Sequence, residues 1–474
     1  MEHSVRVGLC GIGLDAYWSQ FPGLEDRLKG YVAQVAGRLQ RPGVEVFDLG
    51  LIDTAAASSE AGHKCRRSDI DVLFLYVTTY ALSSTVLPLV SRAGVPVIVL
   101  NLQPVASIDY TSFNRLADRT AMTGEWLAFC SACPMPEIAN LFSRARIPFH
   151  QVTGVLDEAQ TWSEINQWLD AARVGSALAE SRLGLMGHYY SGMLDIMTDV
   201  TLLSVAFGTH FELLEVDEVS SLCAGVSQSE TALRVDEFRS TFDIQPECSE
   251  DELRRAARTS KALDKFVARH DLDALAYYYK GTGNPANEDT MSSIILGISL
   301  HTARNIPVAG EYEVKNAIAM KIMDLLGAGG SFTEYYAIDF NDDLVLMGHD
   351  GPGHINIAQG KPRVRPLNVY HGKVGSGLSI EMSVKHGPVT WLSIAEDEET
   401  RFKFVVAEGE SVAGPILEIG NTNSRYRFPI GARKFVESWN SHGPAHHCAV
   451  GIGQLAGTLE KTAALIGVGF ARVC

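Results

Sequence analysis

Gly327-Ala-Gly-Gly-Ser-Phe-Thr-Glu-Tyr-Tyr-Ala-Ile-Asp-Phe-Asn-Asp-Asp-Leu-Val-Leu-Met-Gly-His349 is the stretch at which the texture of this chain changes. Glycines close a helical pattern, and two strand-like segments, Ser331–Phe340 and Asp343–His349, then flank Asn341-Asp342. That pair tolerates the positive φ angles of a two-residue loop, so the stretch predicts an antiparallel hairpin. With Phe340 opposite Asp343, Glu334 falls opposite His349, and directly opposed side chains have Cβ atoms roughly 4.5–5.5 Å apart. The two are then either an ordinary cross-strand ion pair or two ligands of one metal ion. Short segments with Gly and Asn turns continue downstream at Val389–Ile394, Phe402–Val406 and Ile416–Ile419, and a last helix is expected near Ala449–Leu465. The expectation is a β-rich, barrel-like C-terminal domain over residues 328–474.

Upstream the pattern is different. Apolar segments Val5–Leu9, Val44–Leu49, Asp69–Val77 and Val95–Leu100 alternate with helical stretches near Leu24–Leu39 and Leu82–Arg92, the signature of a doubly wound parallel sheet. A polar helical stretch at Gln151–Val174 follows. Arg182-Leu-Gly-Leu-Met-Gly187 opens a second β-α series, continued by Phe211–Val216, a charged helix near Glu250–His270 and Ala274–Tyr279. The fold class is α/β: two Rossmann-like domains, 1–178 and 179–327, precede the β-rich one. A length of 474 residues suits about three domains at roughly 150 residues each.

Composition narrows the partners. Lys and Arg number 40 against 56 Asp and Glu, a formal charge of −16, which repels phosphate backbones and anionic lipid, so neither nucleic acid nor a membrane is expected. No apolar run nears the ~20 residues of a membrane span. The N-terminal residues lack the basic and apolar regions of a leader, so a cytoplasmic location is expected. The eight cysteines are irregularly spaced, and Cys130-Ser-Ala-Cys133 has no second pair to complete a structural zinc site.

Gly11-Ile-Gly13-Leu-Asp-Ala16 fits a dinucleotide fingerprint, which requires a helix to start at once with its N–H groups facing the pyrophosphate. Here Tyr17-Trp-Ser-Gln-Phe-Pro-Gly23 delays the helix. The motif is therefore either a strand-to-loop turn or the nicotinamide site of an NAD-dependent dehydrogenase. Tyr17, Trp18 and Gln20 form a loop that packs locally or meets a ligand or a neighbouring subunit.

Seven of the 14 histidines, His349, His354, His371, His386, His442, His446 and His447, fall after residue 348. Neutral imidazole binds metals and carries protons near neutral pH, so the chemistry is expected there. Glu311 lies at or before the first turn of a helix with Val314, Ala317, Ile318, Ile322 and Leu325 on its apolar face, and it either balances the helix dipole or adds a second carboxylate. Gly443-Pro-Ala-His446-His447 presents adjacent imidazoles on a turn. Two carboxylates and two imidazoles suit an oxygen- and nitrogen-liganded divalent ion such as Mn²⁺ better than zinc. Such an ion polarises a carbonyl while a carboxylate moves the α-proton.

Across Ala-Gly-Glu311, Ser-Phe-Thr-Glu334, Asp-Leu-Val-Leu-Met-Gly-His349 and Gly-Pro-Ala-His446-His447 the chain resembles the L-arabinose/L-fucose isomerase family. The resemblance implies Mn²⁺, with other divalent ions as substitutes, held by Glu311, Glu334, His349 and His447. It also implies an aldose–ketose isomerase acting on an open-chain pentose or 6-deoxyhexose through an enediol, with Glu311 and Glu334 moving the protons. A homo-oligomer, trimer or hexamer, with sites at subunit boundaries is implied too. That gives Tyr17, Trp18 and Gln20 a role as substrate contacts in trans, while His188, Tyr189 and the Tyr277-Tyr-Tyr-Lys280 strand end are placed to meet sugar hydroxyls beside His446. Asp118-Arg-Thr-Ala-Met-Thr-Gly124, Gly348-His-Asp-Gly-Pro-Gly-His354 and Gly420-Asn-Thr-Asn-Ser-Arg-Tyr426 depart from the arabinose isomerase pattern and mark a divergent branch. The competing readings are an NAD-dependent sugar dehydrogenase and a non-catalytic sugar-binding protein on the same scaffold.

Overall fold

A computed structural model describes residues 4–281, 283–370, 373–374 and 376–474; His371 lies outside them. Two compact units are present, Met1–Ser176 and Ala177–Cys474. Among the described residues no helix is long and apolar enough to cross a membrane.

The first unit holds five parallel strands, β1 (Val5–Ile12), β2 (Val44–Ile52), β3 (Val72–Val77), β4 (Val97–Gln103) and β5 (Phe149–Val155), in the order β2-β1-β3-β4-β5. All six residues of β3 are buried, because helices cover both faces of the sheet and alternation disappears. Strand β5 corrects the expectation of helix from Gln151; the helix starts at Ala159. The glycines of the fingerprint serve packing. A Cβ at Gly11 would lie 2.4 Å from Val32 of the helix Leu24–Leu39, and one at Gly13 would lie 2.9 Å from the Trp18 ring. That ring is held against the turn by Trp18 Nε1 donating to Asp53 Oδ2 at 2.7 Å.

The second unit opens with four parallel strands, β6 (Arg182–Gly187), β7 (His210–Leu214), β8 (Ala274–Tyr278) and β9 (Val308–Ala309), ordered β9-β8-β6-β7. Then come β10 (Gly329–Asp339), β11 (Leu344–His349), β12 (Gly387–Glu396), β13 (Phe402–Val412), β14 (Thr422–Arg427) and β15 (Cys448–Ile452). They run β12-β15-β10-β11-β14-β13, and pairing of β12 with β13 closes a six-stranded barrel. A last strand, β16 (Gly469–Arg472), adds in parallel to β13. The expected α/β fold with a barrel-like C-terminal domain is thus observed, and closure removes the unpaired edges an open sheet would present.

Three local expectations are corrected. The segment before the last helix, Ala456–Ile466, is strand β15. Ile416–Ile419 is not a strand: the Asn423 side chain accepts from Leu417 N–H at 2.8 Å and donates to its carbonyl at 2.9 Å, satisfying a backbone that a ladder would otherwise claim. The β10–β11 loop is longer than Asn341-Asp342. Asp339 Oδ1 accepts from the N–H groups of both residues at 3.0 Å, and the left-handed residue is Asp343, φ 54°.

Inside the barrel Trp391 is fully buried, its ring 4.6 Å from those of Tyr426 and Phe428. Helix Val314–Leu325 packs on both the parallel sheet and the barrel, so its residues Val314–Met323 are buried on every side. Truncation of Trp391 leaves a cavity that the closed barrel cannot collapse. Trp391→Ala is expected to lower unfolding free energy by about 3–5 kcal/mol, measured by urea denaturation.

Candidate metal centre

Between β9 and the helix Val314–Leu325 the chain makes a turn that no glycine relieves at its centre: Glu311 (φ 57°) and Tyr312 (φ 63°) are both left-handed. For non-glycine residues this costs of order 1–3 kcal/mol each. The surroundings hold it. Tyr312 N–H donates to the Tyr277 carbonyl at 2.9 Å, Glu313 N–H donates to the Gly310 carbonyl at 3.0 Å, and the Tyr312 ring sits edge-on to Tyr189 at 4.8 Å.

The strained turn brings the Glu311 carboxylate to the two imidazoles that precede β15. Glu311 Oε2 is 3.2 Å from His447 Nε2 and 3.8 Å from His446 Nε2. One ligand atom from each of Glu311, His446 and His447 lies within 4.8 Å of the others. Each ring's second nitrogen faces another carboxylate. His446 Nδ1 is 2.6 Å from Asp195 Oδ2, and His447 Nδ1 is 3.7 Å from Glu313 Oε2. Ligand imidazoles are commonly oriented in this way by outer carboxylates.

The donor set fits a divalent ion. Glu311 Oε2, both ring nitrogens of His447 and both carboxylate oxygens of Glu313 are buried without a hydrogen-bond partner, whereas buried polar atoms are nearly always paired. A cation at this point would satisfy the inward-facing atoms. Oxygen and imidazole nitrogen donors suit Mn²⁺ and its neighbours.

Electrostatics separates the two predicted glutamates. Burial opposes ionisation of Glu311, but His446 and His447 outweigh it and hold the carboxyl well below the usual range. Glu334 is raised, by burial first, with the Glu311 and Asp350 charges adding and the two imidazoles opposing. Burial, with help from His447, pushes His349 down to about 4, leaving the neutral ring that ligation needs. His446 is pulled down by burial, yet Glu311 and Asp195 lift it to about 9.

Glu334 and His349 are placed differently from the expected register. Glu334 opposes Gly348, because a bulge between Tyr335 and Ala337 shifts the pairing by one; nearer the turn the expected register stands. Neither residue belongs to the tight three-ligand cluster, which takes His446 in their place. Both adjoin it. The His349 ring is 5.2 Å from that of His447 and packs edge-on against Phe332. Its Nδ1 lies 2.7 Å from the Asp350 carbonyl, leaving Nε2 for another partner.

His188 and Tyr189 follow β6, at the carboxyl ends of the parallel strands where ligands of such sheets bind. His188 sits edge-on to Tyr278 at 5.3 Å, and the Tyr189 hydroxyl donates to the Thr198 carbonyl at 3.4 Å. Tyr17, Trp18 and Gln20 belong to the first unit. Tyr17 packs on Phe21 at 5.9 Å, and Gln20 Nε2 donates to the Ala16 carbonyl at 2.6 Å. Asp195 and Glu313 were invisible to sequence reasoning. Glu313 is one residue beyond Tyr312 in a segment already singled out, whereas nothing local to Asp195 marks it.

Residues 329–469, from β10 through the start of β16, match the L-arabinose isomerase C-terminal domain. Its C-terminal domain is therefore similar to that of L-arabinose isomerases. Proteins named sulfoquinovose isomerase from Priestia aryabhattai and Priestia megaterium are each 21% identical to the chain over 277 residues. Those alignments cover 58% of this chain and 60% of each relative, so the chain spans about three fifths of the length of the curated relatives it matches. Among solved structures, a Burkholderia multivorans ABC transporter solute binding protein aligns over 65% of this chain and 97% of its own, at 12% identity and a TM-score of 0.15. That score carries no argument about fold.

A pH test follows from His446. Its folded-state pKa, about 9, stands above the unfolded value of roughly 6.5. Its stabilisation is therefore fully present below pH ~6.5 and is lost as pH rises through about 9. The melting temperature of chelator-treated protein is expected to fall across that window, and the fall should flatten in His446→Ala.

Proposed function

We propose that this protein is a divalent-metal-dependent aldose–ketose isomerase acting on an open-chain sugar, with Mn²⁺ as the working ion. One observation carries the reading: the strained turn sets the Glu311 carboxylate 3.2 Å from His447 Nε2 and 3.8 Å from His446 Nε2, a cluster able to hold a divalent ion. A second carboxylate, Glu334, beside the same imidazoles gives such a site a partner for proton transfer. Glu311, Glu334, His349 and the fully buried His447 are the metal-holding set in this reading. His446, more exposed, faces the sugar with His188 and Tyr189. When bound, the ion would polarise the carbonyl and the adjacent hydroxyl.

The chain's own groups then do the rest. The carboxylate of Glu311 takes the proton from C2 as electrons move toward the carbonyl, and the Glu334 carboxyl gives one to O1. In the second half the proton returns to C1 while O2 loses its proton, so aldose and ketose interconvert with no net change in redox state. The surroundings favour a neutral polyol. Asp195, Glu311, Glu313 and Asp350 crowd the centre with carboxylates, and the nearby Lys315 ammonium donates to the Asp195 and Met197 carbonyls at 2.7 and 3.5 Å. A pentose or 6-deoxyhexose is the proposed substrate. By the same reading the protein is a cytoplasmic homo-oligomer in which Tyr17, Trp18 and Gln20 of one subunit meet the sugar of the next.

The test is a panel of L-arabinose, L-fucose, related aldoses and sulfoquinovose, with Mn²⁺ supplied and solvent exchange at C2 followed by NMR. Exchange is expected with a neutral sugar, lost on chelation and restored by Mn²⁺. Glu334→Gln should lower kcat by about 10²–10⁴, the usual contribution of a positioned acid–base group. Turnover of sulfoquinovose alone would overturn the neutral-substrate reading. Sugar binding without metal or exchange would favour a non-catalytic binder, and saturable NADH fluorescence a dehydrogenase.

A further inference from the structure

Asp195 lies in the loop 188–199, between β6 and the helix Val200–Phe207, and nothing in the ligand set requires it. Its Oδ2 accepts two hydrogen bonds from one residue, from the backbone N–H of His446 at 2.9 Å and from Nδ1 of the same ring at 2.6 Å. Two contacts from one carboxylate oxygen fix both the backbone position and the ring rotation of His446. With the Nδ1 proton committed to Asp195, Nε2 is the atom left facing Glu311, 3.8 Å away.

The loop is itself held at several points. Lys315, 4% exposed on the helix after the strained turn, donates from Nζ to the Asp195 carbonyl at 2.7 Å and the Met197 carbonyl at 3.5 Å. Thr198 Oγ1 donates to Glu396 Oε2 of barrel strand β12 at 3.0 Å, and Tyr189 at the head of the loop packs on Tyr312. Burying a lysine needs partners for its ammonium, and here two of them are carbonyls of this one loop. Two of these tethers, through Lys315 and Tyr312, run to the same segment, 311–315, that carries Glu311.

We infer that Asp195 is a positioning residue: it holds the His446 ring so that Nε2 faces Glu311 at the centre, with Lys315 and loop 188–199 as its rigid mount. The inference rests on the isomerase reading for its kinetic consequence and on geometry alone for its structural one. Two measurements keep these apart. Crystal structures of chelator-treated wild type, Asp195→Ala and Asp195→Asn are expected to show the His446 ring rotated away from Glu311 in the alanine variant and retained in the asparagine variant, whose amide oxygen still accepts from Nδ1. A ring that keeps its place in Asp195→Ala overturns the proposal, whether or not any sugar turns over. Kinetically, Asp195→Ala should lower kcat 10- to 100-fold with Asp195→Asn in between, and in a His446→Ala background the same change should cost less than twofold. Equal losses in both backgrounds would show that Asp195 acts on the fold and not through His446.

Discussion

A carboxylate held between two imidazoles by a backbone turn that non-glycine residues avoid is the constraint on which the rest of the second unit depends. Glu311 and Tyr312 are left-handed in succession, and a cost of order 1–3 kcal/mol each is tolerated only where neighbours leave no alternative. Those neighbours come from the parallel sheet (Tyr277), the loop after β6 (Tyr189) and the buried helix that follows (Glu313, Lys315). Relaxing the turn would move Glu311 away from His447 and separate the unpartnered buried polar atoms of both. The strain is therefore located where the chemistry is proposed, and helix Val314–Leu325, buried on every side, keeps it there.

The barrel supplies the other half of the centre by a different device. Closure through β12 and β13 makes β10, β11 and β15 interior members of one ladder, so Phe332, His349 and His447 sit on strands or strand ends that cannot fray independently. Phe332 lies 4.5 Å from the His349 ring and 4.4 Å from the His447 ring. It serves as an apolar wall that lowers the local dielectric. The same burial raises Glu334, neutralises His349 and makes the Glu311 contacts strong, since charges interact more where water is excluded.

Much of this was legible from sequence. Apolar runs such as β3 and β4 announce a parallel sheet because burial on both faces removes alternation, and the Gly-rich change of texture at 327–330 marks the barrel's first strand. Glu311, His446 and His447, all singled out by their motifs, come together in one cluster. Register was the weak point. A single bulge at Tyr335–Ala337 moved Glu334 from His349 to Gly348, and a bulge is set by three-dimensional packing. The dinucleotide-like glycines left two readings open for a related reason: a Gly that admits a neighbouring side chain looks the same in sequence as a Gly that admits a phosphate.

Sequence by itself determined the layer order, the family of the C-terminal domain and the residue types that gather near its start, because periodicity and motif spacing are properties of the chain. Only the tertiary structure decided which of those residues touch and which carboxylates stand behind them. Asp195 meets His446 and Glu313 meets His447 through the closing of a sheet, a helix and a barrel around one turn. Contacts between segments so far apart in sequence leave no periodic trace, and the acidities they set depend on burial that exists only once the chain has folded.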